Sequence, residues 1–356
     1  MRKSIIITLL LLATFTSFAQ TYNSPESIEY DYTNNRWLIA NNSGNNILAR
    51  NTSGVLSYFV TSVSGPHGLE IVDDTLYVCS GSTLKAYNLT TAAPIFSISL
   101  GASFLNGITH DANYLYITDF SAKKIYRFDL VTRAFTVFIT GLAKSPNGII
   151  YDQPNNRCVF VNWGTAAPIM AFDITTAAVS TITTTTLGNC DGIAKDAAGN
   201  YYVSSWSLNG ISRFNNTFTG GPTTVVTGLS SPADIFYNVL SDTLGVPNSG
   251  SGNNTTYHYF GVTAINESSN EQFSFSVNPN PVISKVELTY ELKEKSRIKV
   301  SLCNVNGSFI KTILEEVQER GIQSRSIILD GILPGNYLLL ISNGSKRARK
   351  KIIVVY

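Results

Sequence analysis

The sequence predicts an all-β protein: a six-bladed β-propeller followed by a small C-terminal β-sandwich. Three observations carry this. A short motif recurs six times at intervals of about forty residues. Each copy is followed by short runs rich in aromatic and β-branched residues, with no helical periodicity anywhere. Near residue 272 the net charge changes sign and the charge density doubles, which marks a domain boundary. With 356 residues, 44% of them hydrophobic, the chain has ample apolar surface for a core, and disorder is excluded. A charged fraction of 14% is well below the average for soluble chains and points away from helix-rich cytosolic proteins.

The first element is an address. Arg2 and Lys3 precede an apolar run over residues 5–15, and Ser17-Phe18-Ala19 is a small-x-small cleavage pattern. Residues 1–19 are therefore read as a signal peptide cleaved after Ala19. The apolar run is about half the roughly 20 residues that a membrane-spanning helix needs. No other stretch is apolar enough, so no transmembrane segment is expected in the mature chain.

Residues 20–262 hold the repeats. The motif is a turn, a polar residue, a small residue and an aliphatic. It reads Pro25-Glu26-Ser27-Ile28, Pro66-His67-Gly68-Leu69, Leu105-Asn106-Gly107-Ile108, Pro146-Asn147-Gly148-Ile149, Cys190-Asp191-Gly192-Ile193 and Pro232-Ala233-Asp234-Ile235. Its third positions are spaced by 41, 39, 41, 44 and 42 residues. A run such as Tyr114-Leu115-Tyr116-Ile117-Thr118 follows, then a segment ending in Asn or Asp, then a Thr/Val-rich stretch. Four short antiparallel strands per unit, closed into a ring, leave no long sheet edge bare. The last unit has no clear fourth strand, and either residues 20–24 or a stretch within 263–271 is expected to complete it.

The motif opens the innermost strand of each blade, so its polar residue is expected at the mouth of the central channel. These residues are Glu26, His67, Asn106, Asn147, Asp191 and, shifted by one, Asp234. Asn-Gly and Asp-Gly are ordinary turn dipeptides whose side chains cap backbone amides, and that is one reading. The other is convergence: two carboxylates with amide oxygens form a hard-oxygen set suited to Ca²⁺, Mg²⁺ or Mn²⁺, with Zn²⁺ if His67 joins. Neither a phosphate loop nor Ser/His/Asp spacing is present, and no organic cofactor is indicated. Trp163 and Trp206, after second strands, line the mouth or pack between blades, while His110 and His258 read as packing residues. The four cysteines form no CxxC and read as small buried side chains, with a Cys158–Cys190 bridge as the alternative.

The formal charge of +2 is a sum of unlike parts. Residues 20–271 carry 11 Lys/Arg against 17 Asp/Glu, a net −6, whereas residues 272–356 carry 13 against 7, a net +6. An acidic propeller excludes a nucleic-acid partner.

After a linker over residues 263–277, residues 278–356 open with Asn278-Pro279-Asn280-Pro281. Alternation over residues 285–290, 297–302 and 337–341, with turns at Asn306-Gly307 and Pro334-Gly335-Asn336, predicts an antiparallel sandwich. These features, with Gly321, Leu333 to Tyr337 and basic residues before a short terminal strand, resemble the type A C-terminal sorting domain of the type IX secretion system. Cys303 departs from that pattern. The resemblance implies export by the general secretory route, then outer-membrane passage through the type IX machinery, directed by residues 278–356. The product is then secreted or held at the outer-membrane cell surface. The basic run over residues 346–351 reads as a solvated strand end.

A second resemblance rests on Pro146-Asn147-Gly148-Ile149 and on the run from Asp191-Gly192-Ile193 to Tyr201-Tyr202-Val203. These look like blade starts of the gluconolactonase, or senescence-marker-like, family of six-bladed propellers, a motif style shared with NHL repeats. The resemblance implies a divalent metal on Glu26, Asn147 and Asp191, and substrate contact by Asn106. His67 on the same ring is read as a further substrate contact. Phe104 stands where the family commonly carries an arginine, so a sugar-acid carboxylate lacks that partner. The function implied is metal-assisted hydrolysis of a lactone or ester, with Asp191 as general base toward water. The competing class is a non-catalytic propeller that binds a glycan, peptide or protein partner.

Overall fold

The structure, a computed structural model, describes residues 20–260, 275–304, 309–329, 331–343 and 347–355. The leader with its cleavage point at Ala19, residues 263–274 of the expected linker, the Asn306-Gly307 turn and Lys346 lie outside the described residues.

Six antiparallel sheets follow one another along the chain. The first holds β1 (Pro25–Asp31), β2 (Arg36–Asn41), β3 (Asn46–Asn51) and β4 (Leu56–Val60). The second holds β5 (Pro66–Val72), β6 (Thr75–Ser80), β7 (Thr83–Asn88) and β8 (Pro94–Ser99). The third holds β9 (Leu105–His110), β10 (Tyr114–Asp119), β11 (Lys124–Asp129) and β12 (Phe135–Ile139). The fourth holds β13 (Pro146–Asp152), β14 (Arg157–Asn162), β15 (Ile169–Asp173) and β16 (Val179–Thr183). The fifth holds β17 (Cys190–Lys195), β18 (Tyr201–Ser205), β19 (Gly210–Phe214) and β20 (Thr223–Val226). The sixth holds β21 (Phe236–Asn238), β22 (Thr243–Asn248) and β23 (Asn254–Tyr259). Residues 20–24 do not supply its fourth strand, and 263–271 lie outside the described residues.

Burial shows how the sheets are placed. The second strand of every sheet is buried over five consecutive residues, whereas the fourth strands are largely exposed. A strand reads as a continuous apolar run when both its faces are covered. Both faces are covered because each sheet packs on two neighbours. Leu38 and Ile47 meet Leu69 and Val78, and Cys79 and Leu84 meet Leu105 and Ile117. Tyr116 and Ile125 meet Phe160 and Phe172, and Val159 and Ala171 meet Ile193 and Val203. Tyr202 and Ile211 meet Tyr237 and Leu244, and Phe236 and Tyr257 of the sixth sheet reach Ile28 and Trp37 of the first. Six inter-sheet cores thus close the ring of an all-β propeller.

The Asn or Asp that ends the third strand in the first four sheets has a local task. Asp129 Oδ1 accepts the backbone N–H groups of Val131 and Thr132, and Asp173 Oδ1 those of Thr175 and Thr176. Such turns hold the chain while it reverses into the fourth strand. All four cysteines are free and buried, with no Cys158–Cys190 bridge.

Asp152, at the end of β13, ties two sheets together. Its fully buried carboxylate accepts Arg157 Nε at 2.9 Å, Asn155 Nδ2 at 2.8 Å and Lys195 Nζ of the fifth sheet at 2.6 Å. Burial would raise its pKa, but the Lys195 charge and the hydrogen bonds from Lys195 and Asn155 hold it below the usual value. Asp152→Ala is expected to cost about 3 kcal/mol, because two part-buried cations lose their partner. A depressed pKa contributes stability that is present above 3.8 and is lost as pH falls through the folded value. The deficit, read from urea midpoints, is therefore full at pH 7 and shrinks only in acid below pH 3.8.

The C-terminal residues form two facing sheets. One holds β24 (Phe275–Asn278), β25 (Lys285–Leu292) and β28 (Gly321–Ile328). The other holds β26 (Ser296–Asn304), β27 (Phe309–Gln318), β29 (Gly335–Ser342) and β30 (Arg347–Val354). Val286, Leu288, Val300, Leu302, Leu339 and Ile341 fill the space between them. β29 is apolar on both faces: Leu338 and Leu340, with Cys303 beside them, pack on Tyr202, Tyr237 and Leu244 of the propeller. The departure at Cys303 thus lies in a buried contact. No helix among the described residues is long and apolar enough to cross a membrane.

Candidate functional site

In the first five sheets the polar residue of the motif is the second residue of the first strand; in the sixth the motif, expected to open that strand, lies before it, since β21 begins at Phe236. In five of the six sheets the ladder slips at this point, with register shifts at Pro25/Ser27, Pro66/Leu69, Ile117/Asp119, Pro146/Ile149 and Cys190/Ile193. A bulge inserts an unpaired residue and re-aims its side chain. The glycine that follows has a separate cause. A Cβ on Gly148 would lie 2.5 Å from Asp191 O and 2.8 Å from Gly192 Cα, and one on Gly192 would lie 2.5 Å from Ile235 N. The first strands approach too closely for any side chain there.

This packing brings Glu26, Asn147 and Asp191 together. Asp191 is 5% exposed and Asn147 1%. Burial pushes the Asp191 carboxyl well above the usual carboxylate range, and the charges of Glu26 and Asp234 push it further. The Asn147 amide and the Trp206 indole oppose that shift from beside it. Glu26 is raised to about 7 by burial, against the Ser249 hydroxyl that donates to its Oε1. Asn147 Nδ2 donates to Cys190 O at 3.3 Å, while its Oδ1 is a buried acceptor with no partner. Two buried carboxyls of raised proton affinity, one raised further by the charge of the other, beside a vacant amide oxygen, are a donor set that a hard cation fits. Among the described residues no group of three or more His, Cys, Asp or Glu is gathered to hold a metal, so the amide oxygen is needed to complete this set.

Of the other expected residues, His67 and Asn106 have no hydrogen bond to these three, whereas Asp234 lies beside Glu26, its N–H donating to Glu26 O at 3.0 Å. His67 Nδ1 hydrogen-bonds Gly65 O at 2.9 Å, its ring meets Phe104 edge-on at 4.6 Å, and burial lowers its pKa. A Zn²⁺ site through His67 therefore gains no support from these contacts. Asn106 is half-buried at the start of β9. Asp234 occupies the glycine register rather than the polar one. Its Oδ2 accepts the Ser27 hydroxyl at 3.0 Å across the junction of the first and sixth sheets, and burial raises it to about 7. His110 does more than pack, since its Nδ1 pairs with Glu70 Oε1 at 2.5 Å lower in the channel. There a cavity of about 50 Å³ is lined by Glu29, Glu70, Thr109 and Lys195.

Sequence reading overlooked Ser249 and Phe120. Both occupy the position directly after a second strand, as do Trp163 and Trp206, and the repeat period would have found them.

Comparison with known proteins agrees with this architecture. Residues 276–355 match the family described as the secretion system C-terminal sorting domain, so the chain carries that domain at its C-terminus. No curated protein sequence matches the chain. Several solved structures share the propeller. A chain of a nidogen–laminin complex is 16% identical, with 63% of this chain and 93% of that one covered at a TM-score of 0.53. A gluconolactonase from Xanthomonas campestris is 12% identical over 65% and 84% at 0.55. Regucalcin from Agrobacterium tumefaciens, described as a calcium-binding protein, is 15% identical over 64% and 83% at 0.53. At such identities the likeness establishes the fold alone.

Proposed function

We propose that this is a type IX-exported, cell-surface or released propeller whose mouth binds a divalent cation through Glu26, Asn147 and Asp191 and hydrolyses a lactone or ester. The observation that carries the reading is the buried, unpartnered Asn147 Oδ1 beside two carboxylates of raised pKa. Similarity to a gluconolactonase and to a calcium-binding propeller supports it at the level of fold.

A bound cation would supply Lewis-acid polarisation of the substrate carbonyl. The chain's own residues do the rest. Asn147, with Nδ2 fixed on Cys190 O, presents its oxygen without rearrangement. Ser249 holds Glu26 in place. Asp191 is the group that takes a proton from water, because burial and like charge make it a stronger base than an exposed carboxylate. Asn106, on the neighbouring first strand, is assigned to substrate contact.

The purified mature chain is expected to hold one divalent cation per molecule by elemental analysis and to turn over a lactone or aryl ester. Asp191→Ala should lose the cation and lower turnover by about 100-fold or more. Cation binding competes with the Glu26 proton, so affinity should rise as pH passes through about 7. Cation-free protein, inert toward such substrates and unchanged by the substitution, would sink the proposal. A bound cation without turnover would instead support the non-catalytic binding propeller.

A further inference from the structure

The residues that directly follow the six second strands occupy equivalent positions around the mouth: Asn42, Gly81, Phe120, Trp163, Trp206 and Ser249. In five of them the backbone N–H donates to the carbonyl of the residue just before the motif. The pairs are Asn42 to Ser24, Phe120 to Phe104, Trp163 to Ser145, Trp206 to Asn189 and Ser249 to Ser231, at 2.9–3.1 Å. The rim is therefore fixed by main chain, and its side chains alone vary.

That variation is one-sided. The third, fourth and fifth sheets present Phe120, Trp163 and Trp206, whereas the sixth, first and second present Ser249, Asn42 and Gly81. Phe104 and His67 extend the aromatic side. Ring centroids lie 4.6 Å apart for His67–Phe104, 5.8 Å for Phe104–Phe120, 5.9 Å for Phe120–Trp163 and 5.1 Å for Trp163–Trp206, each pair edge to face. None of the five is fully buried, although aromatic rings ordinarily gain by complete burial.

The polar atoms at the mouth add a second constraint. Asn147 Oδ1 and Trp206 Nε1–H are both buried without a hydrogen-bond partner of good geometry. A cation satisfies only the first of these. An indole N–H donates and never accepts, and its neighbour in the protein is the Asp191 carboxyl; with a cation engaging that carboxyl, the N–H is left to a ligand oxygen. The ligand must then present an apolar face and oxygen acceptors together. It is taken as uncharged, since Phe104, Phe120, Trp163 and Trp206 and the rim at Asn42, Gly81 and Ser249 bring no cationic side chain to pair with a ligand carboxylate.

We infer that the mouth binds a neutral pyranose at the end of a glycan chain. The C–H face of the sugar lies along the arc from Phe104 to Trp206. Its oxygens meet Trp206 Nε1–H and the hydroxyl and amide rim at Ser249 and Asn42. The inference names the ligand of the mouth discussed above and rests on that reading only in placing a cation beside the sugar.

Tryptophan fluorescence of the mature chain, titrated with glucose, mannose and xylose and with their neutral hexasaccharides, tests this. Trp163 and Trp206 are two of only three tryptophans in the chain, so binding at the arc reports directly. At least one hexasaccharide should bind, more tightly than its free monosaccharide, and Trp163→Ala should weaken it about tenfold. Phe104→Arg, a change on the part-exposed rim, should lower neutral binding and create affinity for hexagalacturonate. Asp191→Ala should lose the cation yet keep the hexasaccharide, which separates failure of this inference from failure of the cation reading. Three results would overturn it: no neutral hexasaccharide bound at millimolar concentration, binding indifferent to both rim substitutions in folded protein, or wild-type preference for hexagalacturonate.

Discussion

Gly148→Ala is expected to destabilise the propeller by about 3 kcal/mol, far more than one methyl group ordinarily costs at a strand position. The added carbon meets Asp191 O and Gly192 Cα, which are main-chain atoms and cannot swing aside. Either β13 and β17 separate, or the bulge at Pro146/Ile149 is lost. In a protein of this size the loss corresponds to a fall of about 6–12 °C in melting temperature. Asn147 and Asp191 sit on either side of this contact, so cation affinity should fall along with stability. A Gly148→Ala protein that melts like wild type would show that the first strands have more room than their spacing indicates.

The second large effect is on delivery. Removing residues 272–356 should abolish arrival at the cell surface in the producing organism, because the sorting domain spans 276–355. Cell fractionation with antibody against the propeller reads this directly. The truncated propeller should still fold, since five of its six inter-sheet cores contain no residue from the tail. It should bind more of an apolar dye than the intact chain, because Tyr202, Tyr237 and Leu244 lose their cover from Cys303, Leu338 and Leu340. Surface delivery unchanged by the deletion would mean that export runs through another signal.

Much of this was legible beforehand because a propeller repeats. The period placed the first strand of five sheets, missing that of the sixth by a few residues, and β-branched and aromatic runs placed the second strands. The Asn or Asp closing the third strand of the first four sheets was visible as a pattern, and its hydrogen bonds explain it. The direction of side chains was harder to read. Asp234 follows the motif in sequence yet occupies the glycine register, and only the junction with Ser27 shows where it points. Ser249 was missed because its partner Glu26 lies 223 residues away, and no local rule joins them. In the tail, alternation was expected over residues 337–341, yet Tyr337 to Ile341 are buried without a break, because the propeller covers the second face of β29.

The meeting of the first and sixth sheets gives the ring a clasp. Elsewhere, neighbouring sheets are joined by a connecting loop as well as by their shared core. At this one place the described residues meet only through side chains and a few bonds between distant parts of the chain, among them Asp234 N–H to Glu26 O, Ser27 to Asp234, and Thr255 to Tyr22. A hoop under thermal load opens where its ends are merely hooked. Glu26 and Ser249 lie on opposite sides of that hook, so anything that grips both fastens the whole circle. The mouth of the channel is in this sense also the buckle of the fold, and occupancy there is felt as mechanical closure far from the ligand itself.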